Sequence, residues 1–285
     1  MTRHIDLHTH SSCSDGILTP TALVDLAARR HLLAISLTDH DTVAGVAAAA
    51  ARGAEKGVQV LPGIEVSSRL DNTSLHILGY GIQYEHPVFL AFVQKLQKAR
   101  ERRNQEMRER FCQLGIPIEE SELLSQAGDQ IGRPHFARLL VKKGICRCPA
   151  DAFTCYLKRG GPAFVEHERP PAEEVIAEIH RARGLAVLAH PACLDPGLEQ
   201  IPALVARLKG YGLDGLEAYY PTHSSKVCRA LLTLAREEGL LASGGTDFHG
   251  DNHSAAPLGG SAKTIRVPQE VWLAISQRLA LQKGQ

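Results

Sequence analysis

Lysine and arginine (32) nearly cancel aspartate and glutamate (31), leaving a formal charge of only +1. There is therefore no global basic field, and any nucleic-acid contact must come from a local patch. The first residues, Met1 to His8, contain no apolar stretch of the kind that secretory signals carry. The longest apolar run, the Ala-rich segment from Val43 to Ala51, is too short to span a bilayer. Seven cysteines are an odd number and lack a disulfide-framework spacing, so they read as reduced thiols of a cytoplasmic protein. Cys146 and Cys148 resemble half of a zinc site, but no second Cys or His pair completes it. At 285 residues, a fold can bury roughly three quarters of the unfolded surface, so no disulfide or structural metal is needed to hold it. The residue in excess is histidine, with fourteen copies.

Short apolar strands alternate with helical segments. Strands are expected at 5–7, 33–37, 58–66, 75–78, 185–188, 215–218, 240–243 and 264–267. Helices are expected at about 20–30, from Asp41 or Thr42 as N-cap, at 171–183, 199–211 and 223–238, and from Pro268 onward. This pattern predicts an α/β fold with a parallel sheet. So many units without a dinucleotide fingerprint favour a barrel. Residues 86–165 lack strong strands and read as a helical insertion between barrel segments 1–85 and 166–285. Its first helix, about 87–114, places Phe89, Phe92, Leu96, Met107 and Phe111 on one face. Arg100 and Arg103 share that face with Asn104 at its edge, whereas Arg102 and Arg108 point away. The two inward arginines either snorkel along a packed face or reach for an anion.

His, Asp and Glu recur where strands give way to loops. His8, His10 and Asp15 follow the first strand, and Asp39 and His40 the second. Glu65 ends the third, His76 lies in the fourth, His190 ends the strand after the insertion, and Asp247 and His249 follow Gly244-Gly245. In a barrel these loops form one face, where active sites sit. The same position filled on five or six strands points to a polynuclear metal site. Imidazole and carboxylate ligands suit manganese, iron or zinc rather than copper(I) or an iron–sulfur cluster. His4, His31, His86, His167 and His180 read as solvated or structural, and His223 and His253 lie near strand-end loops with no assigned role.

His8-Thr-His10 through Asp15-Gly, Thr38-Asp-His40-Asp, Gly63-Ile-Glu65, His76, Ala189-His190-Pro and Thr246-Asp-Phe-His249 together resemble the PHP (polymerase and histidinol phosphatase) family. The motifs run from residue 8 to 249. The resemblance implies a distorted seven-stranded TIM-like barrel holding two to three divalent ions, manganese first, with iron or zinc as other fits. By position, His8, His10, Glu65 and Asp247 would hold one ion. Glu65 would bridge to a second, completed by His76 and His190, and Asp15, His40 and His249 would hold a third. Thr246 stands where many members have Ser, which leaves both flanking ligands intact. Three carboxylates and six neutral imidazoles make an empty site of −3 that three divalent ions turn to about +3, so only the loaded site attracts phosphate. Glu65, with His40 and His249 as proton-handling groups, would serve catalysis.

Gly132-Arg133-Pro134-His135 precedes an apolar-periodic helix, and a helix N-terminus with Arg and His suits a phosphate. With Arg100, Arg103 and Asn104, Arg133 and His135 suggest a second anion pocket beside the metals. The Arg-rich helix and this segment also resemble the stand-alone TrpH-like PHP subgroup. That resemblance implies removal of the 3′-phosphate from nucleoside 3′,5′-bisphosphates such as pAp, or 5′→3′ trimming of short 5′-phosphorylated RNA. Long duplexes, membranes and an obligatory protein partner are not expected. A histidinol-phosphate phosphatase would use the same metals but gain little from a second anion pocket. A non-catalytic metal or nucleotide sensor would keep the pocket and show no turnover.

Overall fold

The computed structural model describes residues 4–125, 130–250 and 254–283. Seven strands form one sheet in chain order: β1 (Ile5–Thr9), β2 (Ala34–Leu37), β3 (Gln59–Leu70), β4 (Thr73–Tyr80), β5 (Leu185–Leu188), β6 (Gly215–Tyr219) and β7 (Leu241–Gly244). The sheet curls back on itself after β7. His10 N donates to Phe248 O at 2.9 Å, and Thr9 bridges Phe248. Gly245 permits this approach, because a Cβ there would lie 2.3 Å from His8 N. The result is a distorted TIM-like barrel.

The sheet is mostly parallel, but β4 runs antiparallel to both β3 and β5. This departs from the all-parallel expectation. Asp71-Asn72 closes a two-residue hairpin between β3 and β4, with Asp71 at φ 51°. Such loops need positive φ, which Asp and Asn tolerate. Two other expectations also fail. The second helix does not begin at Asp41 or Thr42 but runs Val46–Lys56 from Gly45. Asp41 cannot cap it, because its carboxylate accepts from Ser67 N and from Arg100. Residues 264–267 form no strand; Val267 makes only an isolated bridge to Ile5.

Helices α1 (Pro20–Arg29), capped by the Thr19 hydroxyl, and α2 (Val46–Lys56) cover β2 and the start of β3. Between β4 and β5 the chain forms α3 (Pro87–Gln113), α4 (Glu120–Leu124), α5 (Arg133–Lys142), α6 (Pro149–Ala152) and a π-helical turn, Phe153–Leu157. The chain then returns through α7 (Ala172–Arg181), α8 (Pro191–Leu194), α9 (Ile201–Gly210), α10 (Ser225–Glu237) and α11 (Gln269–Lys283). Among the described residues, no helix is long and apolar enough to cross a membrane.

Helix α3 joins two cores. Phe89, Phe92 and Leu96 pack with Ile64, Ile77 and Ile176 of the barrel's outer layer. Met107 and Phe111 pack with Phe136, Leu140 and Leu157 in a separate insertion cluster. Arg100, Arg103 and Asn104 fall between these apolar halves and are buried. A long helix stepping from one core to another thus carries polar side chains inward at the seam.

Candidate metal centre and anion pocket

His8, His10, Glu65 and Asp247 offer ligand atoms that all lie within 4.8 Å of one another, as do His10, Asp15, His40 and His249. A third group is His40, Glu65 and His76. His190 joins it, with Nε2 3.1 Å from Glu65 Oε1, the same oxygen that His76 Nδ1 faces at 2.7 Å. The other Glu65 oxygen faces His8 Nε2 at 3.4 Å and His10 Nε2 at 3.3 Å. His40 sits between groups, 3.0 Å from Glu65 Oε2 and 3.8 Å from Asp15 Oδ2. All nine residues singled out as ligands therefore converge in one place. Backbone geometry helps: His190 and Asp247 adopt φ of 30° and 52°. Such strain in non-glycine residues is held by surrounding structure and clusters at functional sites.

His8 Nε2, both nitrogens of His10, His40 Nδ1, Glu65 Oε2 and Asp247 Oδ1 are buried without a hydrogen-bond partner. Buried polar atoms normally find partners. Donor atoms orphaned together and facing one another fit divalent cations. The tautomers agree. His249 Nδ1 lies 2.8 Å from the Asp247 carbonyl, and a proton there leaves Nε2 free to ligate. His8 Nδ1 lies 3.1 Å from Glu217 Oε1, which leaves its Nε2 free in the same way.

The electrostatics of the metal-free cluster follow from its crowding. Burial works against a charged His249, but Asp15 and Asp247 outweigh it and hold the pKa up at about 10. Burial also works against charge on Asp15, Asp247 and Glu65. Facing imidazoles, among them His249, His8 and His40, nevertheless hold all three well below the usual carboxylate range. Protons on imidazole thus stand in for cations.

The arginines of α3 divide the labour. Arg100 Nε donates to Asp41 and its NH2 to Ser67 Oγ, so its charge is matched within the fold. Arg103 is only 6% exposed, and its guanidinium donates to the neutral Asn104 Oδ1. Among the described residues it has no carboxylate within ion-pair distance. Burial, with Arg100, Arg133 and Arg169 nearby, pushes its pKa well down. Asn104 Nδ2 donates to Ile131 O, tying this group to the α5 approach. Arg133 lies 5.9 Å from the Phe153 and Phe164 ring centres. His135 Nδ1 accepts from Gly132 N at 2.9 Å, a cap for α5, while its Nε2 is buried and unpartnered. Burial, then Arg138, pushes its pKa down to about 4.

The PHP domain model matches residues 6–145. The chain is 33% identical to the 3′,5′-nucleoside bisphosphate phosphatase of Chromobacterium violaceum, over 97% of this chain and 98% of that protein. The chain belongs to the PHP family. It is also 36% identical to the 5′–3′ exoribonuclease Rnm of Escherichia coli, over 86% of this chain and 84% of that one. A solved structure from Bifidobacterium adolescentis, described as a metal-dependent phosphoesterase, superposes with a TM-score of 0.85 at 30% identity. That match covers 97% of this chain and 96% of that one.

In this PHP chain several residues that support the cluster escape sequence reasoning. Glu217 is fully buried; it faces His8 Nδ1 and accepts from His190 N at 2.7 Å. Asp39, which the sequence placed with His40 among the strand-end candidates, instead accepts from Ser11 N, Ser11 Oγ and Ser14 Oγ, shaping the loop that carries Asp15. Asp6 accepts from Thr246 and from Gly259 N. A carboxylate inside an apolar strand, as in Gly215-Leu-Glu217-Ala, was the available signal for Glu217. Tyr220 donates to Asp247 Oδ2 at 2.9 Å, and its ring leans on His190. His167, read as solvated or structural, is buried with Nε2 unpartnered, and burial beside Arg100 and Arg103 pushes its pKa down to about 2. No sequence signal marked it. His223 Nδ1 faces the Ala218 carbonyl behind Tyr220, and His253 lies outside the described residues.

Proposed function

We propose that the protein is a divalent-metal phosphoesterase that removes the 3′-phosphate of nucleoside 3′,5′-bisphosphates such as pAp. The same chemistry cuts the first 3′-phosphodiester of short 5′-phosphorylated RNA. The observation that carries this reading is a nine-residue His and carboxylate cluster together with a buried arginine, Arg103, that has no carboxylate partner among the described residues. The names of the phosphatase and exoribonuclease relatives support it.

His8, His10, Glu65 and Asp247 would hold one ion; Glu65, His76 and His190 a second; Asp15, His40 and His249 a third. The opposed faces of the two Glu65 oxygens support a bridging role. Manganese is the first choice for this donor set, and iron or zinc also fit. When bound, such ions supply Lewis acidity and a water that ionises near neutral pH. The chain does the rest. Arg103, with Asn104, Arg133 and His135, holds the second phosphate and so fixes which ester oxygen faces the cluster. Arg100 braces this arm against Asp41. Water oxygen joins phosphorus, the P–O3′ bond breaks, and O3′ leaves with a proton. His249 Nδ1 faces the Asp247 carbonyl at 2.8 Å, which leaves its Nε2 for ligation.

Phosphate release by Mn-loaded protein from pAp, 5′-AMP and histidinol phosphate tests this. pAp should be much the best. Preference for histidinol phosphate would overturn the two-anion reading, and tight pAp binding without turnover would favour a sensor.

A further inference from the structure

A cavity of about 330 Å³ opens directly on the Asp15, Asp247 and His249 edge of the cluster. Its remaining wall includes Arg138, Phe153 and Tyr220. Neither Arg100 nor Arg103 lines it; Arg100 meets Asp41 and Ser67 on the His40 and Glu65 side. The cluster thus has two neighbouring binding regions, one cationic and buried, the other partly aromatic and open.

Phosphoester geometry separates their roles. When P–O3′ breaks in a dinucleotide, the first nucleotide leaves with a free 3′-hydroxyl and the phosphate stays on the second. The second nucleotide must therefore extend from the reacting phosphorus away from the first. A bisphosphate has nothing there. The wall suits single-stranded nucleic acid, for which aromatic faces stack bases and an arginine tracks the backbone. The volume lies at the lower end of small-molecule pockets, the range expected for one unit rather than a long strand. Arg138 NH1 donates to the Asp15 carbonyl at 3.2 Å, which holds its guanidinium at the metal edge. Arg133 lies 5.9 Å from the Phe153 ring centre, outside the cavity's own lining.

The geometry points to this cavity as the subsite for the nucleotide downstream of the scissile phosphate, with Phe153 as its stacking face. This rests on the phosphoester-cutting reading above and adds that an oligonucleotide is accommodated by design of the site.

The test compares kcat/KM for pAp and for 5′-phosphorylated diadenylate with wild type, Phe153→Leu and Phe153→Trp. Leu keeps apolar packing but removes the flat face, while Trp keeps the face. The diadenylate-to-pAp ratio should fall about tenfold in Phe153→Leu and hold in Phe153→Trp. An unchanged ratio in Phe153→Leu, with equal losses on both substrates or none, overturns the subsite and leaves the phosphatase reading standing. So does a wild type that cuts pAp but not the diadenylate. If wild type cuts neither, the functional reading falls. The subsite is then judged by calorimetry, where Phe153→Leu must weaken diadenylate binding to the Mn-loaded protein and spare pAp.

Discussion

Among the described residues Arg103 is buried and matched only by a neutral amide, so its charge awaits an anion. Replacing it with Ala should lower kcat/KM for pAp by about ten- to a hundredfold, the range for hydrogen bonds to charged groups. A simple monophosphate ester should suffer far less; equal losses would remove the second-anion role. Glu217 acts at one remove, through His8 Nδ1 and the His190 backbone. Glu217→Gln should weaken metal affinity by about ten- to a hundredfold, as other orienting partners of metal ligands do. Metal titration with a folding check by circular dichroism would show it; unchanged affinity would make Glu217 merely structural. At this scale the candidate ligands were legible because chemistry limits which side chains bind hard or borderline cations, and such residues recur at strand ends. The residues that orient them were not. Asp6, Asp39 and Glu217 gain meaning only from partners up to 253 positions away, such as Gly259 for Asp6.

Helix α3 shows what element-level reading captures. The periodicity that placed Phe89, Phe92, Leu96, Met107 and Phe111 on one face is realised, and all five are buried. That one face serves two cores was not readable, because periodicity says which side is buried and not against what. Phe111, fully buried and stacked on Phe136, should cost about 3–5 kcal/mol of stability when changed to Ala. Urea denaturation measures it, and a loss below 1 kcal/mol would argue against a packed insertion core. The failures have local causes. Asp41 looked like a cap because Asp caps helices, but it sits at φ 52° with its carboxylate committed to Ser67 and Arg100. The β3–β4 hairpin was hidden because strand-helix alternation elsewhere set the expectation of parallel pairing.

For the whole molecule, the cluster links stability, metal and pH. In the metal-free protein His249 has a raised pKa, so its stabilisation is complete below its unfolded value near 6.5 and is lost as pH rises through about 10. Asp15, Asp247 and Glu65 are depressed, so theirs is present above about pH 4 and is lost in acid. Divalent ions displace protons from the same groups. The difference in Tm between Mn-loaded and metal-free protein should therefore widen from pH 6 to pH 9, as scanning fluorimetry can record. A constant difference would mean that the ions do not compete with these protons. The amino-acid sequence by itself determined the α/β class and marked nine candidate ligands, because donor chemistry and periodicity are local properties. Only the tertiary structure decided that Arg100 meets the Asp41 carboxylate while Arg103 meets the neutral Asn104 amide, that Glu217 braces the cluster, and that a partly aromatic cavity opens at its edge. Those facts depend on which distant side chains share a low-dielectric space, and no local pattern encodes that.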